Sequence, residues 1–156
     1  MADSPINKPF TLLVADDDPA VRDAVDLILR SYGYRLQFAA NGQEACEILD
    51  RDRVDLALID LLMPQFSGFD VIAHCRRRRE LARLPIVVMT AATDPEHCDR
   101  AFDLGATTYV HKPLQWALLT HTIWYVLRNE AREVELRQLK ARLGMPAGVP
   151  AAPPPP

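Results

Sequence analysis

Carboxylate, hydroxyl and ammonium groups follow four short apolar runs of the chain. The aspartates Asp16–Asp18 follow the first run, Asp60 the third, Thr90 the fourth and Lys112 the fifth. Carboxylates held close together repel one another, which raises their pKa values unless a cation lies among them. A hard divalent ion such as Mg²⁺ removes that repulsion and takes oxygen ligands. The sequence therefore predicts a divalent-cation site, provided that the fold brings these groups together.

Five apolar runs alternate with segments of helical period. The runs are Phe10–Ala15, Tyr34–Ala39, Asp55–Ile59, Pro85–Met89 and Thr107–Val110. Short, nearly continuous apolar runs are typical of strands buried on both faces of a parallel sheet. Strict alternation with helices predicts an α/β protein with a doubly wound sheet. Because the carboxyl ends of parallel strands meet at one edge, that edge would carry the polar groups described above.

Each helical segment begins with a side chain that can cap a helix, or with a proline whose missing N–H is harmless there. In chain order these residues are Asp18 and Pro19, Asn41, Ser67, Asp94 and Pro95, and Pro113. Gly105 is expected to end the fourth helix, because glycine readily adopts the left-handed conformation that follows a helix. The run Arg76–Arg79 is interpreted as a solvated helix end. The histidines have no metal-ligand spacing.

Composition and charge exclude several classes of protein. The chain has 156 residues, 49% of them hydrophobic and 25% charged, as expected for one globular domain. Residues 1–113 hold 13 Lys and Arg against 18 Asp and Glu, and this acidic body argues against nucleic-acid binding. Neither a membrane span nor a signal peptide is found, and the three cysteines form no CxxC pair. We therefore expect a cytoplasmic protein with reduced thiols and no membrane partner.

The polar residues at the predicted strand ends resemble the receiver domain of two-component response regulators. The matching features are Asp16-Asp17, Asp60 followed by Met63-Pro64 and Gly68, Thr90-Ala91 and Lys112-Pro113. The resemblance covers about residues 10–128. It implies a five-stranded parallel sheet of the CheY-like, flavodoxin-like type with strand order 2-1-3-4-5.

The resemblance also implies a role for the acidic residues. Asp60 would be the phosphoacceptor, attacking a phosphohistidine of a sensor histidine kinase or phosphotransfer protein. Asp17, Asp60 and the backbone carbonyl of Leu62 would ligate Mg²⁺, or Mn²⁺ in its place, and Asp16 would bind the ion through water. Such a protein is a signalling switch that catalyses only its own phosphorylation and dephosphorylation.

The remaining matches imply how the switch would operate. Lys112 would pair with one phosphoryl oxygen and Thr90 would hydrogen-bond another. Inward movement of Thr90 would let Tyr109 rotate inward and change the face formed by helix four, strand five and helix five, where a downstream target protein would bind. The Lys112–Pro113 peptide bond is expected to be cis.

Apolar residues occupy positions near the site that are often polar in this family. They are Leu61, Leu62 and Ala92. We expect them to orient the attacking water poorly and so to lengthen the lifetime of the phosphorylated state.

The helical pattern continues beyond a receiver's usual last helix. We expect an N-terminal extension over residues 1–9, the receiver over 10–128, a helical extension over 129–143 and a disordered Pro/Ala-rich tail over 144–156. The extension carries a predicted Glu133–Arg137 pair and an imperfect apolar stripe, and it is either a charged helix that frays or a helix that pairs two chains as a homodimer. With no output domain expected after it, output would come from a partner or from a missing segment.

Three alternatives remain at this point. The chain is a non-phosphorylated scaffold or dimerisation module, the receiver fragment of a larger regulator such as a cyclic-di-nucleotide synthase, or a hydrolase that uses Asp60 on a small phosphoester. The intact set of acidic, Thr and Lys residues argues against the first, and short loops argue against the last.

Overall fold

Five β-strands alternate with five α-helices in the described residues, 9–91 and 95–146, of a computed structural model. The strands and helices are, in order, β1 (Thr11–Ala15), α1 (Pro19–Ser31), β2 (Arg35–Ala39), α2 (Gly42–Arg51), β3 (Leu56–Asp60), α3 (Gly68–Arg77), β4 (Ile86–Thr90), α4 (Pro95–Leu104), β5 (Thr108–His111) and α5 (Trp116–Arg142).

The strands form one sheet in the order β2-β1-β3-β4-β5, and every neighbouring pair is parallel. This is the doubly wound, flavodoxin-like α/β fold that the sequence predicts, with the predicted strand order. Its carboxyl edge is level across the sheet, because Ala15 pairs with both Ala39 and Ile59 while Asp60 pairs with Met89.

The strands begin one residue later than the apolar runs predict, and three of them also end later. Asp60 and Thr90 are the last residues of β3 and β4, not the first residues of the loops. The ladder continues past them, since the Leu61 amide donates to the Met89 carbonyl at 3.2 Å and the Lys112 amide to the Thr90 carbonyl at 2.9 Å. Both polar side chains are therefore held by regular backbone pairing.

Two apolar layers enclose the sheet. Alternate β1 residues divide between them, so that Leu13 and Ala15 face α2, α3 and α4 while Leu12 and Val14 face α1 and α5. Every residue of β3 and β4 is buried. Strands covered on both faces leave only their ends for polar chemistry.

The predicted starts of the first three helices agree with the structure, whereas α5 begins at Trp116, three residues after Pro113. Asp18, Asn41 and Ser67 each accept a backbone N–H at the start of a helix, and Ser67 forms a capping box with Asp70. Gly105 follows α4 with a φ of 111°. The predicted cap Asp94 lies outside the described residues.

The interpretation of Arg76–Arg79 as a solvated helix end is wrong for its first member. The Arg76 guanidinium donates to the carbonyls of Leu81, Ala82, Leu84 and Gly105 at 2.7–3.1 Å. These carbonyls belong to the α3–β4 connection and the end of α4, so one partly buried side chain joins two loops. Such long-range partners cannot be seen in a run of four arginines.

Helix α5 has 27 residues, and only its first half packs on the sheet. Leu119, Ile123, Val126 and Leu127 are buried, whereas Leu136, Leu139 and Leu143 are exposed. The predicted Glu133–Arg137 pair is not formed; Arg137 contacts Glu130 at 3.1 Å instead.

The division of the chain at residues 9, 128 and 143 stays a prediction, and the first eight and last ten residues, which include most of the expected tail, lie outside the described part. None of the helices in that part combines the length and the apolar character of a membrane span.

Candidate functional site

Three carboxylates meet at the carboxyl edge of the sheet. Oxygen atoms of Asp16, Asp17 and Asp60 all lie within 4.8 Å of one another. Asp16 is fully buried and Asp60 is 6% exposed, whereas Asp17 is exposed. The loop after β1 supplies the first two and the end of β3 the third, which explains how residues 44 positions apart are brought together.

Lys112 bridges two of these carboxylates from the far side of β4. Its Nζ donates to Asp16 Oδ2 at 2.6 Å and to Asp60 Oδ2 at 3.2 Å. Lys112 directly follows β5, which is two strands away from β3 in the sheet. The side chain therefore crosses the end of β4 to reach the acidic groups.

Backbone amides hold the other oxygens of the two buried carboxylates. The Asp18 amide donates to Asp16 Oδ1 at 2.9 Å, and the Leu62 amide donates to Asp60 Oδ1 at 3.2 Å. From α1, the Arg22 guanidinium donates to the Asp16 backbone carbonyl at 2.7 Å. Both carboxylates are thus fixed in orientation, while the exposed Asp17 faces the solvent side of the cluster.

The pKa values of Asp60 and Lys112 are both raised at this site. Burial raises the pKa of Asp60; the Lys112 charge opposes this shift and the Asp16 charge adds to it. Burial alone would lower the pKa of Lys112, but its bonds to Asp16 and its attraction to Asp60 raise that pKa overall. Lysine is therefore firmly cationic, and it offsets only part of the charge of three carboxylates.

Gly68 allows the loop after β3 to fold tightly onto the site. A Cβ at this position would lie 2.3 Å from the Asp60 carbonyl oxygen and 2.7 Å from the Leu61 Cα. The obstructing atoms are backbone, so no side-chain rotation could make room. Gly68, at the first turn of α3, thus fixes the direction in which the chain leaves Asp60.

Thr90 and Tyr109 lie on neighbouring strands. Thr90 is fully buried at the end of β4, beside β3. Tyr109 is 38% exposed, and its ring makes edge contacts with Phe102 at 5.7 Å and with His111 at 5.0 Å between ring centroids. The structure therefore places Tyr109 in an aromatic cluster on the α4–β5 surface. The Lys112–Pro113 peptide bond is cis.

The two leucines after Asp60 differ in environment. Leu61 is fully buried in the core, whereas Leu62 is 51% exposed. The expectation that Leu61 affects the attacking water is wrong, because its side chain packs in the core, and successive residues at a strand end point to opposite sides. Ala92, the third apolar position, lies outside the described residues.

Sequence reasoning missed the contribution of Arg22. Its guanidinium reaches back to Asp16 because it lies one turn after the Asp18 cap, on the first turn of α1. An arginine four residues after a predicted N-cap is the sequence signal for this contact.

The donor set fits a hard divalent cation. Three carboxylates of mixed burial converge, one of them at the surface, and their oxygens are the ligands that Mg²⁺ prefers. Burial, aided by the charge of Asp16, raises the pKa of Asp60 despite the attraction of Lys112. A second positive charge at this edge would oppose that shift.

Comparison with known proteins gives one consistent result. The family model described as "Response regulator receiver domain" matches residues 12–123. The chain is 38% identical over 123 residues to the transcriptional regulatory protein AfsQ1 of Streptomyces coelicolor, covering 79% of this chain and 53% of that protein. It therefore spans about half the length of this relative.

Solved structures agree with this match. A protein described as a response regulator from Chloroflexus aurantiacus superimposes with a TM-score of 0.75 and 32% identity, covering 78% of this chain and 99% of that one. The receiver domain of a sensor histidine kinase from Pseudomonas aeruginosa, with magnesium coordinated in its active site cleft, gives a TM-score of 0.72 and 26% identity, covering 77% of this chain and 98% of that one.

Proposed function

The chain belongs to the response regulator receiver domain family, a family of signalling switches, and on that premise we propose that Asp60 accepts a phosphoryl group. The donor would be the phosphohistidine of a sensor histidine kinase or phosphotransfer protein. The observation that carries this proposal is the position of Asp60, almost buried at a strand end and bonded to Lys112 at 3.2 Å.

In the proposed reaction, a carboxylate oxygen of Asp60 attacks phosphorus. The P–N bond of the phosphohistidine breaks, the imidazole leaves with the bonding electron pair, and an aspartyl phosphate forms. Lys112 offsets the charge on the transferred oxygens, which is the main requirement in phosphoryl transfer. Bonds from the Asp18 and Leu62 amides keep the acidic groups oriented throughout.

Mg²⁺ binding in the acidic site is general in this family. Here Asp17, Asp60 and the Leu62 carbonyl are our proposed direct ligands, and Asp16 would hold a bound water. When bound, the ion supplies positive charge to the phosphoryl oxygens, and Mn²⁺ could replace it. The exposed Asp17 supports this assignment, since its carboxylate lies beside Asp60 on the solvent side.

The proposed output surface is the face of α4, β5 and α5. A phosphoryl group on Asp60 would draw the Thr90 hydroxyl toward it, and Tyr109 would turn inward into the vacated space. The present half-exposed Tyr109 ring, held against Phe102 and His111, supports a starting state with the ring outward. A downstream protein would read the change on this face, and no direct contact with nucleic acid or membrane is proposed.

The domain limits and assembly of the chain are also proposals. We assign residues 10–128 to the receiver and 129–143 to a helical extension whose exposed leucines could pair two chains. We propose that this exchange takes place in the cytoplasm. Because AfsQ1 is nearly twice as long as the matched region, the chain could equally act as the receiver of a larger regulator.

Incubation with acetyl phosphate and Mg²⁺ tests the proposal directly. The unmodified chain should gain one acid-labile phosphoryl group by intact mass, whereas Asp60→Asn should gain none. Asp103→Asn, which removes an exposed carboxylate from α4, serves as the matched control and should be phosphorylated normally.

Three outcomes would contradict the proposal. Unmodified protein after incubation would indicate a scaffold that is not phosphorylated. Phosphorylation of Asp60→Asn would place the acceptor elsewhere. Sustained release of phosphate from a small phosphoester, at many turnovers per chain, would favour a hydrolase.

A further inference from the structure

An aromatic groove lies at the edge of the molecule opposite the acidic site. It is a surface pocket of about 540 Å³ between the end of α1, the start of β2 and α5, and its aromatic lining is Tyr32, Tyr34, Trp124 and Tyr125. Tyr32, Trp124 and Tyr125 are 64%, 54% and 61% exposed. Three large aromatic side chains in one exposed cluster favour an occupant, because such patches are uncommon without one.

The Arg128 side chain covers one face of the Trp124 indole beside the groove. The Arg128 guanidinium carbon lies 4.9 Å from the centre of the Trp124 ring. Arg128 lines a second, adjoining pocket of about 350 Å³ and does not line the aromatic groove. The guanidinium therefore covers the side of the indole that faces the second pocket, and the aromatic groove offers the other side.

The second pocket continues from Trp124 toward the end of α5. Its lining includes Leu127, Ala131 and Glu135, and these side chains follow Trp124 along the helix. Arg142, the last residue of α5, is 18 residues or about five turns after Trp124 and so lies on the same face of the helix. A path thus runs along one helix face from the aromatic groove to the helix end.

The chain turns back where α5 ends. Gly144 adopts a φ of 67°, its amide donates to the Ala141 carbonyl at 3.3 Å, and the Met145 amide donates to the Lys140 carbonyl at 2.9 Å. This Schellman arrangement folds the backbone over the last helical turn. The backbone therefore leaves the helix axis at residues 144 and 145.

We propose that the proline-rich segment 147–156 of the same chain docks in the aromatic groove formed by Tyr32, Tyr34, Trp124 and Tyr125. The segment has five prolines and no charged residue. Proline-rich sequences favour the extended polyproline II conformation and bind grooves lined by aromatic side chains, at low entropic cost because the ligand is already extended.

The length of the segment agrees with this occupant. Trp124 lies about 27 Å from Arg142 along the helix at 1.5 Å per residue. Residues 147–156 can span about 31 Å at about 3.1 Å per residue in polyproline II. The four prolines at 153–156 can therefore reach the groove after the turn at Gly144. This inference does not depend on the phosphoryl chemistry of Asp60.

The test follows acrylamide quenching of Trp124 in full-length chains that carry Trp116→Phe, since the sequence has only two tryptophans. Replacing the prolines at 153–156 by serine should raise the quenching constant about twofold, because a docked segment covers much of the exposed indole. The matched control replaces the alanines at 147, 151 and 152 by serine and should leave the constant unchanged.

A groove variant completes the test. In Tyr125→Ser, or in Tyr32→Ser on a different part of the chain, the serine and proline tails should give the same quenching constant. Equal quenching of the two tails in the intact groove would overturn the proposal. So would a difference that disappears on dilution, since that result would assign the groove to the tail of a second copy.

Discussion

Lys112 donates to two carboxylates of different strands, and the shorter bond goes to Asp16, not to the proposed acceptor. Asp16 is fully buried and needs the ammonium as its charge partner. The hydrogen bond from the Lys112 ammonium to Asp60 is the longer of the two, and burial raises the pKa of Asp60. Further positive charge at this edge would therefore stabilise the ionised form of Asp60.

Ionised Asp60 should destabilise the fold. Its folded pKa is raised above the unfolded value, so its favourable contribution is present below about pH 4 and is lost as the pH rises through the folded pKa. Asp60→Asn should thus have a higher urea midpoint than the unmodified chain at pH 7, with a difference that shrinks at acidic pH. Asp103→Asn is the control, and an equal gain in it would contradict the prediction.

Leu62 should control the lifetime of the aspartyl phosphate. Its side chain is 51% exposed beside Asp60, so a polar replacement there does not disturb the core. Leu62→Asn can hydrogen-bond an attacking water, and loss of phosphate after removal of the donor should be about tenfold faster. Leu62→Met, which keeps an apolar side chain, should behave like the unmodified chain. Equal lifetimes in Leu62→Asn and Leu62→Met would remove this explanation.

Arg76 on α3 secures the ends of neighbouring elements. Burial lowers the pKa of its guanidinium, which nevertheless donates to four backbone carbonyls across two loops. The side chain acts as a clamp between the α3–β4 connection and the end of α4. A single substitution therefore leaves several carbonyls without a donor at once.

Replacing Arg76 should lower the free energy of unfolding far more than replacing Arg77. Arg76→Met should lower the free energy of unfolding by about 3 kcal/mol, because four backbone carbonyls, most of them partly buried, lose charge-assisted hydrogen bonds. The matched control is Arg77→Met on the exposed side of α3. Urea denaturation of both variants measures the difference, and similar midpoints would show that the clamp contributes little.

The elements and their order could be predicted because they depend on local pattern. Short apolar runs, the caps at Asn41 and Ser67 and the glycine after α4 all act within a few residues. The acidic edge followed from the same reasoning, since strand ends meet at one edge. The bond from Arg76 to the Gly105 carbonyl joins α3 to the end of α4 and so depends on distances across the fold. The contact of Arg137 with Glu130 instead of Glu133 depends on side-chain conformation within one helix. Local pattern does not contain those distances.

The whole molecule shields two of its three thiols. Cys46 on α2 and Cys75 on α3 are buried in the same apolar layer, and burial raises their pKa values to about 12 and about 11. Cys98 on α4 is only partly buried. Protection of the first two thus depends on the integrity of the entire layer between sheet and helices.

Burial of the Cys46 and Cys75 thiols should make the free energy of unfolding decline at alkaline pH. The folded pKa values of Cys46 and Cys75 exceed those of unfolded thiols, so this stability is present below about pH 9 and is lost as the pH rises toward about 11 and 12. Urea midpoints measured from pH 8 to pH 11 should fall less in the double variant Cys46→Ala, Cys75→Ala. Cys98→Ser is the control and should fall as steeply as the unmodified chain.

The first half of α5 packs on the sheet, and its second half extends beyond the packed residues. Its packed residues end at Leu127, and 15 further residues follow to Arg142, an arm of about 22 Å at 1.5 Å per residue. A tilt of about 10° about the last packed turn carries the tip through about 4 Å by the geometry of such an arm. The helix begins four residues after Lys112. A small displacement of its first turn beside the acidic edge would therefore become a larger displacement at Arg142.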